Sequence, residues 1–206
     1  MSQLPDIIRE IPRVAADVVA QAATYQAAIL ADVAGRRGTL HGRISPVHEQ
    51  MKVAGPAFTV EVRPGDNLMI HAAIALAQPG DVLVIDGKAD LTAALMGTLM
   101  LSACKKRGLA GVVIDGAIRD KLELLDLGFP VFCAGYNPAG PTKYVPGRIN
   151  HAISAGGATI QPGDLVVGDA DGVVIIEREK APAMLALADK KADSYTHLTL
   201  PTICSV

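Results

Sequence analysis

An arginine and an aspartate stand side by side where an apolar segment ends. The segment is VIDGAIRD, residues 113–120, which begins as a buried strand and finishes with Arg119 and Asp120. The guanidinium of arginine is a fixed cation whose planar set of donors suits a carboxylate or a keto oxygen. A carboxylate can hold a hard divalent ion such as Mg²⁺, which often takes only one or two protein ligands. The two side chains could therefore bind a 2-oxo acid together, and the alternative is a simple surface ion pair.

Two strands of the predicted sheet end in the same tripeptide. Ile85-Asp86-Gly87 and Ile114-Asp115-Gly116 each close an apolar run. In open α/β sheets, ligands bind beyond the carboxyl ends of the strands, so these aspartates are candidates for a site. The alternative is that each aspartate only caps a turn. Lys88 follows the first tripeptide and could form a Schiff base, but nothing in the sequence lowers its pKa.

The elements that position these residues alternate between strand and helix. Alternating βα segments favour right-handed crossovers and a largely parallel sheet, while the later segment turns at Asp171-Gly172 as a hairpin. The predicted helices are 12–34, 67–77, 91–107, 119–127 and 178–193, the predicted strands are 53–62, 81–87, 111–116 and 130–135, and the hairpin covers 164–177. Asp66 is expected to cap the helix over 67–77. The fold class is therefore α/β.

Composition indicates a cytoplasmic protein without affinity for nucleic acid or membrane. The chain has 206 residues, of which 50% are hydrophobic and 3% aromatic, and its net charge is −2. That charge gives no footprint for nucleic acid, and no apolar run approaches the roughly 20 residues of a membrane span. Three widely separated cysteines without metal-ligand spacing favour a reduced compartment.

Pro-Gly-Asp occurs three times, at 64–66, 79–81 and 162–164, each time before an apolar segment. Each copy predicts a tight turn into a new element. No linker divides the chain, so we predict a single domain over 1–193. The tail 194–206, SYTHLTLPTICSV, lacks the preceding helical pattern, and we expect either an added edge strand or a non-native, flexible segment.

Several long segments resemble the regulator of ribonuclease activity A-like family. They are PGDNLMIHAAIALAQPGDVLVIDGKADLTAALMGTLMLSACKKRGLAGVVIDGAIRD, PVFCAGYNPAGP and PGDLVVGDADGVVII, in that order, and the likeness covers about residues 25 to 180. Within the family, the chain is most similar to the 4-hydroxy-4-methyl-2-oxoglutarate / 4-carboxy-4-hydroxy-2-oxoadipate aldolases. Some family members have been labelled menaquinone methyltransferases, and the lack of a Gly-rich cofactor loop argues against that activity here.

The resemblance implies a fold, an assembly and a reaction. The fold is an α/β/α-type sandwich related to swivelling β/β/α domains. The assembly is a homo-oligomer, either a trimer or a hexamer, with sites between subunits. The reaction is a retro-aldol cleavage that needs Mg²⁺ or Mn²⁺ and releases pyruvate from a small 2-oxo acid substrate, with oxaloacetate decarboxylation as a side activity.

The resemblance also assigns roles to residues of this chain. Asp120 corresponds to the metal ligand, Arg119 to the residue that holds the pyruvyl oxygens, and His71 to a position near the substrate. Backbone N–H groups at a helix start would receive the substrate carboxylate, from Gly97, Thr98, Leu99 and Met100. A helix would then begin near Gly97, in conflict with the pattern-based helix over 91–107.

Two departures from the family bear on function. The aldolases often have an acidic residue directly after the glycine that matches Gly97, and this chain has Thr98. They also use a carboxylate from the C-terminal region of an adjacent subunit, which here falls near the tail 194–206. The alternative function is a non-catalytic protein that binds and regulates an RNA-degrading enzyme. Such members tend to lack the acid after the arginine, so Asp120 favours catalysis.

Overall fold

The chain folds into a mixed α/β architecture of strands and helices. The computed structural model describes residues 6–197, with side chains up to Ala192. In chain order the elements are β1 Asp6–Ile7, α1 Ala16–Ala22, α2 Ala27–Val33, β2 Ser45–Pro46, β3 Val53–Glu61, α3 Leu68–Leu76, β4 Val82–Met96, α4 Thr98–Lys106, β5 Gly111–Ile118, α5 Lys121–Leu127, β6 Val131–Tyr136, β7 Arg148–Ile149, β8 Ile153–Ala155, β9 Ala158–Ile160, β10 Leu165–Asp169, β11 Gly172–Ile176 and α6 Ala181–His197.

The centre of the molecule is a sheet in which β3, β4, β5 and β6 are neighbours and run parallel. Except for 88–93 in β4 and the last residues of β6, their residues are mostly buried along both faces, as expected for strands with layers on each side. The C-terminal hairpin of β10 and β11 is antiparallel, and β10 also pairs with the start of β3. The predicted α/β fold, with a mostly parallel sheet and a C-terminal hairpin, is confirmed.

Three apolar clusters hold the layers together. The largest lies between the parallel sheet and the helices α3, α4 and α5. A second lies on the opposite face of the sheet, against β8, β9 and one face of the C-terminal hairpin. The other face of that hairpin packs against α1, α2 and α6 in the third cluster. The sandwich therefore contains a second, smaller β layer between the central sheet and the outer helices.

Strand β4 is much longer than the predicted strand 81–87 and replaces the first six residues, 91–96, of the predicted helix over 91–107. After Ile85 it leaves the regular register and pairs again with β5 at Asp90–Gly116, Ala94–Ala117 and Met96–Ile118. Leu95 and Met96 are fully enclosed in the large apolar cluster. Tertiary pairing and burial therefore outweigh local helix propensity. Helix α4 begins at Thr98, next to Gly97, as the family resemblance implied.

The outer helices differ from their predicted bounds. The predicted helix 12–34 is two short helices, because the chain is extended at Gln26 and both pieces pack on α6. Helix α6 ends at His197 rather than at 193, so residues 194–197 are helical and not an edge strand. The rest of the predicted tail, 198–206, lies outside the described residues. Among the described residues, no helix is long and apolar enough to cross a membrane.

The three Pro-Gly-Asp copies form the predicted tight turns. Their glycines all have positive φ, +72° at Gly65, +89° at Gly80 and +85° at Gly163. In each turn the aspartate N–H donates to the carbonyl oxygen three residues earlier. Asp66 was expected to cap the helix that follows, but the N-cap of α3 is Asn67, which has no side-chain capping bond, and Asp66 lies one residue earlier. Its side chain accepts hydrogen bonds from the N–H groups of Leu68, Tyr144 and Val145, and so holds the segment that follows β6.

The turns at Gly80 and Gly163 provide a matched test of close packing. A Cβ at Gly80 would have no atom within 4 Å, whereas a Cβ at Gly163 would overlap the carbonyl oxygen of Pro12. We expect Gly80→Ala to lower the free energy of unfolding by about 1–2 kcal/mol, the cost of positive φ. Gly163→Ala should cost about 2 kcal/mol more, because a backbone segment must move. Equal losses in urea denaturation would contradict this account.

Candidate active site

The Arg119-Asp120 pair lies at the carboxyl end of β5, in a backbone turn. The N–H of Arg119 donates to the carbonyl oxygen of Met96 at 3.0 Å, which ties the ends of β4 and β5 together. Asp120 then adopts a left-handed conformation, with φ 64° and ψ 42°, directly before α5. Non-glycine residues adopt this conformation at an energetic cost, and such residues cluster at functional sites. The turn directs two consecutive charged side chains out of the sheet end.

The two side chains do not neutralise each other through a close ion pair. Arg119 Nε lies 3.8 Å from Asp120 Oδ1, too far for a hydrogen bond. The other carboxylate oxygen, Oδ2, accepts a hydrogen bond of 2.9 Å from the backbone N–H of Thr98. The side chains are 46% and 37% exposed. The geometry therefore fixes Asp120 through one oxygen and leaves Oδ1 and the guanidinium available to a ligand.

Gly97 makes this arrangement possible by having no side chain. A Cβ there would overlap Asp120 Oδ2 and would contact Arg119 Cγ at 3.0 Å. The backbone of Gly97 is extended, with φ −149°, so its conformation would suit any residue. The glycine is therefore required by the close approach of the Arg119-Asp120 turn.

A cavity of about 100 Å³ opens beside the pair. Six residues that the sequence placed in the site line it, namely His71, Gly97, Leu99, Met100, Arg119 and Asp120. The side chain of Thr98 does not line this cavity, and its N–H is already bonded to Asp120. The N–H of Met100 donates to Gly97. Four N–H groups were expected to bind a carboxylate, and those of Gly97 and Leu99 donate no hydrogen bond among the described residues.

The charges around the cavity favour an anion. Arg119 and Lys143 are cations in its wall, and Asp120 is the one acidic residue of that wall within the described part of the chain. Burial lowers the pKa of His71 below its ordinary value, and the Lys143 ammonium lowers it further. The imidazole of His71 is therefore neutral near pH 7 and can accept a proton.

A second cavity, of about 320 Å³, lies on the other side of the same pair. Arg119 and Asp120 also line it, together with Lys121 and Tyr136. The Lys121 ammonium lies 4.6 Å from the centre of the Tyr136 ring, a cation–π contact. Burial raises the pKa of Tyr136, as does its contact with Cys133, so the phenol stays protonated. A ligand larger than a three-carbon acid could therefore extend past the pair into this space.

The pair fits a divalent metal that takes one protein ligand. No group of three or more metal-binding side chains occurs among residues 6–192, so a closed, all-protein metal cage is absent from that part of the chain. Mg²⁺ keeps several waters and often uses only one or two carboxylates plus substrate oxygens. Asp120 meets that requirement because its Oδ2 is held by Thr98 and Gly97 leaves room beside it.

The other candidates, Asp86, Asp115 and Lys88, form ion pairs within the protein. Asp86 is buried and bonds Lys88 at 2.6 Å, and buried Asp115 bonds Arg43 at 2.8 Å. Burial acts to lower the pKa of Lys88, but its hydrogen bonds to Asp86 and Glu61 outweigh burial and raise it. A charged lysine between two carboxylates is a poor Schiff-base nucleophile. The aspartates of the two tripeptides are therefore structural.

Two polar residues of the cavity wall, Asn67 and Lys143, were missed by sequence reasoning. Asn67 is the residue directly before α3 and lies four positions before His71, so helical spacing from a candidate residue was an available signal. Lys143 belongs to the irregular segment after β6, and it reaches the cavity because Asp66 binds the neighbouring residues. No local pattern in the sequence indicates that contact.

The protein is an α/β sandwich with an Arg119-Asp120 turn at the end of a parallel strand. A small cavity beside the turn is lined by two cations. The chain belongs to the RraA-like family, since the family profile described as "Aldolase/RraA" matches residues 15–175.

Individual relatives have different names. A protein of Halalkalibacterium halodurans named "Putative 4-hydroxy-4-methyl-2-oxoglutarate aldolase" is 44% identical over 175 residues, which cover 85% of this chain and 83% of that protein. Streptomyces coelicolor RraAS2, described as an unusual member of the RNase ES inhibitor RraA protein family, is 28% identical with a TM-score of 0.82, covering 92% of this chain and 100% of its own. A Geobacillus kaustophilus structure named as an S-adenosylmethionine:2-dimethylmenaquinone methyltransferase is 32% identical with a TM-score of 0.69, covering 74% and 95%.

The close approach at Gly97 can be tested by adding one methyl group. Gly97→Ala should displace Asp120 from the Thr98 N–H and lower the free energy of unfolding by about 1–3 kcal/mol. Gly42→Ala is the matched control, because a Cβ there meets no atom within 4 Å and the residue lacks positive φ. Urea denaturation and a crystal structure of Gly97→Ala would measure both effects. An unmoved Asp120 with unchanged stability would contradict the packing described here.

Proposed function

We propose that the protein is a divalent-metal-dependent lyase that cleaves a 4-hydroxy-2-oxo diacid to pyruvate and a second 2-oxo acid. The substrate class includes 4-hydroxy-4-methyl-2-oxoglutarate and 4-carboxy-4-hydroxy-2-oxoadipate, and oxaloacetate decarboxylation is a side activity. The main support is the Arg119-Asp120 pair, whose side chains lie 3.8 Å apart without a hydrogen bond and offer a fixed cation and the Oδ1 carboxylate oxygen to one small ligand. The family membership and the aldolase name of the 44% identical relative agree with this proposal.

The two cavities suit the two halves of such a substrate. The smaller cavity matches a pyruvyl group, whose carboxylate would lie near the free N–H of Leu99 and the cations Arg119 and Lys143. The larger cavity beside Lys121 would take the second half, with its own carboxylate. The bond to be broken would then lie next to the Arg119-Asp120 pair.

The reaction follows from where negative charge develops. The C3–C4 bond breaks, its electron pair stays on C3 of the pyruvyl fragment, and the C4 hydroxyl becomes a carbonyl as it loses its proton. The neutral imidazole of His71 is available to accept that proton. Mg²⁺ or Mn²⁺ at Asp120 would supply Lewis acidity for the enolate oxygen. Arg119 would stabilise the same charge as a preorganised cation. A proton from solvent would add to C3 to release pyruvate, and His71 would return the hydroxyl proton to solvent.

The test is pyruvate release from 4-hydroxy-4-methyl-2-oxoglutarate and from oxaloacetate. EDTA should abolish turnover, and added Mg²⁺ or Mn²⁺ should restore it, since the described residues contain one metal-binding carboxylate in the site. Full activity in EDTA, or trapping of a pyruvyl adduct by borohydride, would contradict a metal-dependent mechanism.

Two variants in the same assay separate the roles of the pair. Asp120→Ala should remove metal binding and nearly all activity. Arg119→Ala should keep metal binding but cost about 2–4 kcal/mol of transition-state stabilisation, the scale of one lost oxyanion donor. Asp126→Ala is the matched control, because Asp126 is exposed on α5 away from both cavities. Near-normal kinetics in both site variants would show that the pair is only a surface feature.

A non-catalytic role as a binding regulator of an RNA-degrading enzyme is the second candidate. The RNase ES inhibitor family named for the S. coelicolor structure supports it, because that structure has the same fold. The assay above also distinguishes this candidate. A complete lack of turnover with Mg²⁺ and with Mn²⁺, on both substrates, would favour the regulator.

We also propose that the protein acts as a cytoplasmic homo-oligomer, a trimer or a hexamer. Large apolar side chains around the pair are exposed in the single chain, with Leu99 at 86% and Leu122 at 74%. Such a patch beside a polar site is typical of a subunit interface. Light scattering at micromolar concentration should give the mass of a trimer or hexamer. A monomer would contradict the assembly and weaken the aldolase proposal.

A further inference from the structure

A buried amide in the wall of the smaller cavity has one end without a partner. Asn67 is 2% exposed and lines that cavity together with His71, Arg119 and Asp120. Its Nδ2 donates to the carbonyl oxygen of Leu95 at 2.9 Å and contacts Met100 Sδ at 3.2 Å. Its Oδ1 has no hydrogen-bond partner among the described residues. The orientation of the amide is fixed, because the reverse orientation would place two oxygens face to face.

The buried Oδ1 of Asn67 lacks a hydrogen-bond donor among the described residues. Buried polar groups in folded proteins almost always have a partner, and one left without a partner destabilises the fold. Amide oxygens only accept hydrogen bonds, so the missing partner must be an O–H or N–H group. The cavity beside Asn67 is the space from which a small ligand can supply one.

The proposed substrates carry a single donor. At neutral pH a 4-hydroxy-2-oxo diacid presents carboxylates and a keto oxygen, which are all acceptors, and one hydroxyl on C4. The residues that line the cavity also include Arg119, Lys143 and Leu99, whose guanidinium, ammonium and N–H groups are donors that suit the acceptors of the substrate. Asn67 Oδ1 is the complementary group for the hydroxyl.

We propose that Asn67 is a specificity-determining residue whose Oδ1 accepts a hydrogen bond from the C4 hydroxyl of the substrate. This inference rests on the proposed lyase function and names the group that the site recognises beyond the pyruvyl half. Asn67 and His71 line the same cavity, so the hydroxyl can donate to Asn67 when the substrate binds and pass its proton to His71 when the C3–C4 bond breaks.

Oxaloacetate separates this role from general catalysis. Its breakdown passes through the same pyruvate enolate, but it has no C4 hydroxyl and loses CO₂ instead. Groups that stabilise the enolate therefore act on both substrates, whereas a hydroxyl acceptor acts only on the aldol. Loss of Asn67 Oδ1 should change the ratio of the two activities.

The experiment compares kcat/KM for the two substrates in the metal-loaded protein. Asn67→Ala should lose about tenfold or more on 4-hydroxy-4-methyl-2-oxoglutarate and change less than about twofold on oxaloacetate, the scale of one buried hydrogen bond. Asn150→Ala is the matched control, because Asn150 is 1% exposed and also has an unpaired Oδ1, but donates to Ile8 outside the cavity. Asn150→Ala should lower the melting temperature and leave the activity ratio unchanged.

A second measurement uses the unsubstituted protein and does not depend on folding of a variant. As inhibitors of oxaloacetate decarboxylation, 4-hydroxy-2-oxoglutarate and 2-oxoglutarate differ by the hydroxyl alone. The inhibition constant of 2-oxoglutarate should be at least about fivefold higher. Equal constants, or an unchanged activity ratio in Asn67→Ala, would overturn the role of Asn67 while leaving the lyase function intact. A lack of both activities in the unsubstituted protein would overturn the lyase function itself, and this inference with it.

Discussion

The extended pairing of β4 with β5 is the constraint on which the site depends. Because β4 pairs with β5 again at Asp90, Ala94 and finally Met96, which lies beside Ile118, the two strands end together and the residues that follow them are in contact. Gly97 then lies against Asp120, the Thr98 N–H binds the carboxylate, and α4 begins with its amino end at the cavity. A chain that left the sheet at Gly87, as a regular β-strand over 81–87 would, could not bring these groups together.

Some buried charged side chains of the molecule form hydrogen-bonded ion pairs, whereas the charged side chains of the candidate site do not. Asp81, Asp86 and Asp115 are buried and bonded to Arg13, Lys88 and Arg43. Removing one partner of such a buried pair leaves an uncompensated charge. The pairs Arg13-Asp81 and Arg43-Asp115 join segments that are far apart in the chain, whereas Asp86 and Lys88 both belong to β4. Arg119 and Asp120 are neighbours in sequence, yet they share no hydrogen bond and stay half exposed. The candidate site therefore differs from the structural ion pairs, because Arg119 and Asp120 do not hydrogen-bond to each other.

Proteins of this family have the same fold but very different names, so the fold alone does not indicate the function and the residues of the site must. Relatives of this chain are named as an aldolase, an RNase inhibitor family member and a methyltransferase. The site described here offers anion binding, one metal ligand and a buried acceptor, which agree with chemistry on a small hydroxy keto acid. Thr98, in place of the acid of many family aldolases, directs its N–H to Asp120 and keeps its side chain out of the cavity wall.

Local sequence was sufficient for features that depend on neighbouring residues. The Pro-Gly-Asp turns, the apolar parallel strands, the Asp171-Gly172 hairpin and the adjacency of Arg119 and Asp120 all follow from short segments. The helix start near Gly97 came only from family resemblance. Tertiary structure alone decided the long course of β4, the break between α1 and α2, and the arrival of Asn67 and Lys143 at one cavity. Those outcomes depend on hydrogen bonds and apolar burial between residues far apart in the chain, whose combined free energy exceeds the weak local preferences that a sequence pattern expresses.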